Sequence, residues 1–244
     1  MIIKKKLLAV ITARGGSKRL PGKNTLNIAG KPMIAWSIEA ALKSKYIDTV
    51  LVSTEDEVIA DIARKFGAEV PFIRPKELAS DSASSIDTII HAINTLKKLK
   101  YGDYEYIILL QPTSPLRTFQ HIDEAVELLL SKKAENIISI CETGNLKMNP
   151  FPVYLDLNGK IYKKPNYPEV GLSDIHSNGK EYRINGAIYL SKISVLINEM
   201  SFLHGTSYAY LMDSSSSVDI DSVSYTHLRA HETPEHLVCR LLLE

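Results

Sequence analysis

The sequence predicts an α/β protein built on an open, mostly parallel sheet with helices on both faces. Short apolar runs alternate with amphipathic helical stretches as far as Ile140. The runs are apolar almost throughout, as strands covered on both faces must be. Each pair of runs is also joined by a connection long enough for a helix, the crossover that parallel neighbours need.

Leu7–Thr12 is the first such strand. Pro32 opens a helix with Ile34, Ile38 and Ala41/Leu42 on one face, running to about Lys43. Thr49–Ser53 is the next strand, followed by a helix carrying Ile59, Ile62, Ala63 and Phe66 that Gly67 stops. Val70–Ile73 reads as a short strand, Ser84–Lys98 as a helix with Ile86, Ile89, Ile90, Ile93 and Leu96 inward, and Tyr106–Leu110 as a strand. A helix from about Thr118 to Ser131 and a strand Asn136–Ile140 complete the alternation. The pattern loosens over 141–182, rich in Gly, Asn, Pro and Tyr, which reads as a hairpin-rich arm that packs on something, plausibly a second subunit. Gly186–Leu190 and Tyr208–Met212 are returning strands.

At 244 residues, 45% apolar and 23% charged, the chain fits one α/β domain with an elaboration. A net charge of +1 predicts no general attraction to nucleic acid or anionic membrane, so any anion site is a local cluster. Cys141 and Cys239 are isolated, which argues against a disulfide framework or a cysteine metal site. No stretch reaches the roughly 20 apolar residues of a membrane span, and the opening apolar run is too short for a signal peptide, so the cytoplasm is the expected location.

The first strand leads into Ala13-Arg14-Gly15-Gly16-Ser17-Lys18-Arg19-Leu20-Pro21-Gly22-Lys23-Asn24. Glycines let backbone N–H groups approach phosphate oxygens, and Arg14, Lys18, Arg19 and Lys23 supply neutralising charge. Two familiar phosphate motifs fail here. Five residues separate Gly16 from Gly22 where a Walker A loop has four, Asn24 stands where Ser or Thr would hold Mg²⁺, and G-x-G-x-x-G is absent. The turn binds phosphate in another way.

Four further blocks follow in order: Val52–Asp56, Arg74–Ser85 (RPKELASDSASS), Leu110–Arg117 (LQPTSPLR) and Asn185–Tyr189 (NGAIY), before a closing Val218-Asp219-Ile220-Asp221. Together with the basic turn they resemble the CMP-N-acetylneuraminate synthetase (acylneuraminate cytidylyltransferase) family, over about residues 5–221. The resemblance implies a nucleotide-binding, Rossmann-like sheet with a dimerisation arm, and transfer of CMP from CTP to a sialic-acid-like nonulosonic acid. Legionaminic acid, pseudaminic acid and Kdo are alternative acceptors, Arg19 being the residue that Kdo-activating relatives share. A catalytically inactive nucleotide-binding protein is the alternative of another class.

It further implies that Ala13, Arg14, Gly15, Lys23 and Asn24 hold the triphosphate, with Arg14 and Lys23 stabilising the departing pyrophosphate. Arg74, Ala83 and Ser85 surround the cytosine, although Ser84–Ser85 also reads as a plain helix start. Gln111, Arg183, Asn185 and Phe202 take the acceptor sugar, an Arg suiting its carboxylate. Arg117 reads equally as a structural ion-pair partner. In an extended segment alternate side chains share a face, so Asp219 and Asp221 point together as an Mg²⁺ site beside the phosphates, with Asp221 also a candidate proton acceptor. The partners implied are CTP, an acidic sugar and a second copy of the chain. Residues 171–178 and 222–244 depart from the family pattern, the latter reading as a segment foreign to the domain.

Overall fold

The computed structural model describes residues 6–143, 152–163, 182–204 and 206–220. The expectations for residues 171–178, for Asp221 and for the 222–244 tail lie outside the described residues.

The strands are β1 (Leu7–Thr12), β2 (Asn27–Ile28), β3 (Lys31–Pro32), β4 (Thr49–Ser53), β5 (Tyr106–Leu109), β6 (Asn136–Glu142), β7 (Pro152–Leu155), β8 (Ile161–Lys163), β9 (Tyr182–Lys192) and β10 (Ser207–Leu211). The helices are α1 (Met33–Lys43), α2 (Glu57–Lys65), α3 (Ser85–Lys98), α4 (Phe119–Lys132) and α5 (Ile193–Glu199). The main sheet runs β10-β6-β9-β5-β1-β4, with the β7–β8 hairpin attached through β9. β1 pairs in parallel with β4 and β5, and β6 with β10, whereas β9 is antiparallel to both β5 and β6. The sheet is therefore mixed and mostly parallel. The direction of β9 is a feature that apolar periodicity does not encode.

Strand alternation divides the core into two layers. Leu7, Ala9 and Ile11 join the cluster under α1, α2 and α4, which includes Ile34, Ile38, Ile59, Ile122 and Val126. Leu8 and Val10 face the other way, onto Ile89 and Leu96 of α3, Leu196 of α5 and Val153 and Ile161 of the hairpin. Helix starts are secured by side chains: Asp56 accepts from the Ile59 N–H at 3.0 Å, Ser84 from the Ile86 N–H at 3.0 Å, and Thr118 and His121 close a capping box.

The sequence reading fails at one strand and holds for a hairpin in the arm. Val70–Ile73 is not a strand; pairing with β4 stops at a single bridge, Leu51 to Glu69. Pro71 has no N–H to continue a ladder, and the chain turns so that the Arg74 N–H reaches the Thr54 carbonyl at 2.8 Å. Within the irregular arm, residues 152–163 form a hairpin that pairs with β9 of the same chain. Among the described residues no helix is long and apolar enough to cross a membrane.

Candidate active site

β1, β4 and β5 end together, and the segments leaving them build one cleft at the carboxyl edge of the sheet, the place where open α/β sheets bind ligands. The cleft has a volume of about 390 Å³. Arg14, Ser17, Lys23 and Asn24 line it from the basic turn, Arg74, Leu78, Ala83, Ser85 and Thr88 from the approach to α3 and its start, and Gln111, Pro112 and Thr113 from the end of β5. Asp219 closes it from the end of the described chain, its segment anchored by the Ile220 N–H donating to the Thr113 carbonyl at 2.8 Å. A second, basic lobe of about 430 Å³ adjoins it, sharing Arg14, Ser17, Lys23 and Asp81 and adding Lys18 and Arg19.

The turn is held in shape by the protein itself. The Asn24 side chain, 5% exposed, donates to the Arg14 carbonyl at 2.9 Å. Gly22 adopts φ +64°, and the short 3-10 turn Lys23–Thr25 follows it. Ala13 is 1% exposed, its N–H donating to the Ser53 carbonyl at 3.1 Å and its carbonyl accepting from Arg74 at 3.3 Å. The Gly15 N–H donates to the Glu55 carboxylate at 2.8 Å. Glycine is required at position 15 for space: a Cβ there would lie 2.3 Å from the Asp56 carboxylate. Ala13 and Gly15 thus shape the turn through backbone groups engaged elsewhere in the protein, while Arg14, Lys23 and Asn24 face the cleft.

Charge within the cleft is balanced internally. Asp81 pairs with Arg14 at 2.7 Å and with Lys18 at 2.5 Å, and these two cations hold its carboxyl below the usual carboxylate range. The Asp81 carboxylate therefore lies against two of the cations expected to hold phosphate. Burial pushes the Tyr189 phenol up to about 12, with the nearby Asp219 charge adding to the shift.

The acceptor residues divide. Gln111 lines the cleft, and Gly186, at φ +79°, gives it room, since a Cβ there would lie 2.9 Å from the Gln111 Oε1. Asn185 is 2% exposed and fully engaged: it accepts from Ser139 at 2.6 Å and donates to the Ser217 Oγ at 2.9 Å. Arg183 donates to the Ser217 carbonyl at 3.2 Å. Neither Arg183 nor Asn185 lines the cleft; both fasten the segment that delivers Asp219. Phe202 is 7% exposed in the core beneath the sheet, its ring 5.3 Å from that of Tyr189. It is not brought to the cleft.

Among the described residues Arg117 has no ion-pair partner, and it does not line the cleft. It is 2% exposed and donates to the Gln111 carbonyl at 3.1 Å, the Ala187 carbonyl at 2.8 Å and the Ser37 hydroxyl at 2.5 Å. Burial pushes its guanidinium down to about 9, still protonated at neutral pH. It bolts the Gln111 backbone to α1 and β9. The sequence reading named the Glu55 block but gave Glu55 no role; a lone acidic residue after a strand carries no signal of its own.

Among the described residues no group of three or more His, Cys, Asp or Glu gathers as a metal site. Mg²⁺ does not require one, because it binds through one or two carboxylates plus substrate phosphates. Asp219 lines the cleft together with Arg14 and Lys23 of the basic turn.

An α/β sheet with a basic, Gly-rich turn and a polar cleft at its carboxyl edge has the form of a nucleotide-binding protein. The chain belongs to the cytidylyltransferase family, whose model matches residues 8–166. It is 38% identical over 218 residues to N-acylneuraminate cytidylyltransferase of Escherichia coli, covering 88% of this chain and 49% of that protein. It thus spans about half the length of that relative. It is 36% identical to the CMP-N,N'-diacetyllegionaminic acid synthase of Legionella pneumophila, covering 89% of this chain and 91% of that one. It is 32% identical to the pseudaminic acid cytidylyltransferase of Campylobacter jejuni, covering 89% and 92%. The fold matches that of CMP:2-keto-3-deoxy-manno-octonic acid synthetase complexed with CTP, with a TM-score of 0.69 over 91% of this chain and 96% of that one at 19% identity.

Proposed function

We propose that this protein transfers CMP from CTP to the anomeric hydroxyl of a nonulosonic acid, releasing pyrophosphate. One observation carries the reading: Arg14, Lys23, Asn24, Arg74, Ala83, Ser85, Gln111 and Asp219, drawn from four separate stretches of chain, converge on a single cleft. Arg14 and Lys23 face the triphosphate and stabilise the charge that builds on pyrophosphate as the bond to the α-phosphorus breaks. Arg74, Ala83 and Ser85 form the base pocket, where a donor set matched to cytosine leaves buried groups unpaired against uracil. Gln111 orients the acceptor, whose hydroxyl attacks in line opposite the pyrophosphate. Asp219, with Asp221 beyond the described residues, would hold Mg²⁺, which supplies neutralising charge at the phosphates. Relatives named for sialic, legionaminic and pseudaminic acid match at comparable identity, which supports the nonulosonic class, and within it we propose a sialic-acid-like acceptor. We also propose a homodimer formed through the arm, whose hairpin carries Leu157 at 67% exposure.

Pyrophosphate release, measured with each of CTP, UTP, GTP and ATP against a panel of these sugars and Kdo, tests the reading. Sugar-dependent release with CTP alone is the expected result. Equal turnover with UTP or GTP would remove the cytidylyl assignment, and CTP binding without release would leave an inactive nucleotide-binding protein.

A further inference from the structure

We infer that Glu55 is a positioning residue that couples the base pocket to the phosphate turn, and so sets discrimination between CTP and UTP without touching the nucleotide itself. The inference rests on the cytidylyl reading of the cleft. Glu55 follows β4, and its two carboxylate oxygens point to different partners. Oε1 accepts from the Gly15 N–H at 2.8 Å, and Oε2 accepts from Arg74 Nη2 at 2.7 Å. The same Nη2 reaches the Ala13 carbonyl at 3.3 Å, and the Arg74 N–H is fixed on the Thr54 carbonyl at 2.8 Å. One carboxylate therefore holds both the start of the turn and the guanidinium that lines the base end of the cleft.

Burial makes the link stiff. Arg74 and Glu55 are 4% and 15% exposed at their side chains, so water competes poorly for the bond between them. Among the described residues the buried Arg74 Nε has no partner, and Glu55 and the Ala13 carbonyl supply the only hydrogen bonds found for this guanidinium. A glutamine at 55 keeps one acceptor oxygen and turns an amide N–H₂ toward either the Gly15 N–H or the guanidinium. It satisfies one side of the link and repels the other. Glu55 does not line the cleft, so its effect on a nucleotide passes through Arg74 and Gly15.

The test is isothermal titration of CTP and UTP into the full chain, for wild type, Glu55→Gln, Arg74→Gln and the double variant. Glu55→Gln is expected to weaken CTP by about tenfold and UTP by less, so the ratio of the two dissociation constants falls. Arg74→Gln is expected to lower the ratio as far, and the double variant no further, because both act through one interaction. Should Glu55→Gln fail to fold, Glu55→Asp, one methylene too short to span both partners, carries the same comparison. An unchanged CTP/UTP ratio at position 55, or effects that multiply in the double variant, would overturn the inference. Wild-type protein that does not prefer CTP would instead overturn the reading on which it rests.

Discussion

Replacing Gly15 by alanine adds one methyl group at a place where the structure has no room for it. Its Cβ would sit 2.3 Å from the Asp56 Oδ2 and 3.0 Å from the Asp56 Cβ and Cγ. An ordinary carbon–oxygen contact is about 3.3 Å, so the two segments must part by about 1 Å. If Asp56 yields, its cap on the Ile59 N–H, now 3.0 Å, is lost at about 1 kcal/mol. If the turn yields instead, the Gly15 N–H leaves the Glu55 carboxylate, a charged bond of roughly 1.5–3 kcal/mol. Relief by the cheaper route predicts destabilisation of roughly 1–2 kcal/mol, a fall in Tm of roughly 2–8 °C. Where the turn gives way instead of Asp56, a displacement of about 1 Å in the segment that carries Arg14 and Lys23 predicts a loss of up to about 10²-fold in kcat/KM for CTP, whereas relief wholly at Asp56 lowers Tm and leaves kcat/KM nearly unchanged. Thermal melts and initial rates measure both. Asp56→Gly removes the obstructing atoms and keeps a tolerated cap residue, so Gly15→Ala in that background should cost almost nothing further. Gly15→Ala with wild-type Tm and kcat/KM, or a double variant carrying the full sum of both losses, would refute this account of the turn.

Three other outcomes follow from the same geometry. Asp81→Asn frees Arg14 and Lys18 from an internal anion, so the KM for CTP should fall roughly two- to fivefold, an effect that shrinks in high salt; a rise in KM would mean that Asp81 serves the nucleotide directly. His91 and His121 are both held below the usual histidine range, chiefly by burial. The folded state therefore binds fewer protons than the unfolded one just below about pH 6.5, and stability should drop from about pH 7.5 to about pH 5.5, less so in His91→Gln. Arg117→Lys cannot reach both the Gln111 and Ala187 carbonyls, and denaturant melts should show a loss of roughly 2–4 kcal/mol.

The sequence reading reached the parts of the molecule whose physics is local. β1, β4, β5 and β6 and the four longer helices follow from apolar period and end signals, and Ser84 proves to be the helix cap that its position suggested, while Ser85 beside it faces the cleft. The failed strand at Val70–Ile73 shows the limit: β-branched and aromatic residues suggested extension, but Pro71 and the need to deliver Arg74 to Thr54 override them. The orientation of β9, antiparallel between β5 and β6, is a tertiary fact that no short window holds.

In the site the chemistry was more legible than the packing. Charged and amide side chains that converge on the cleft, such as Arg14, Lys23, Arg74 and Gln111, announce themselves by type and by their place after strand ends. What each backbone group is bonded to does not. Gly15 was read as a phosphate donor, yet its N–H is on Glu55 and its lack of a side chain makes room for Asp56. Asn185 and Phe202 were read toward the sugar, and the structure places one in a buried hydrogen-bond cluster and the other in an apolar core.

The most direct test of the central claim is to watch the phosphorus atoms. Full-length protein is incubated with CTP, Mg²⁺ and each nonulosonic acid in turn, and ³¹P NMR follows the products. Transfer at the α-phosphorus predicts a phosphodiester resonance of a CMP-sugar and free pyrophosphate, rising in equal amounts and only when the sugar is present. CDP with inorganic phosphate, or consumption of CTP that ignores the sugar, would contradict it.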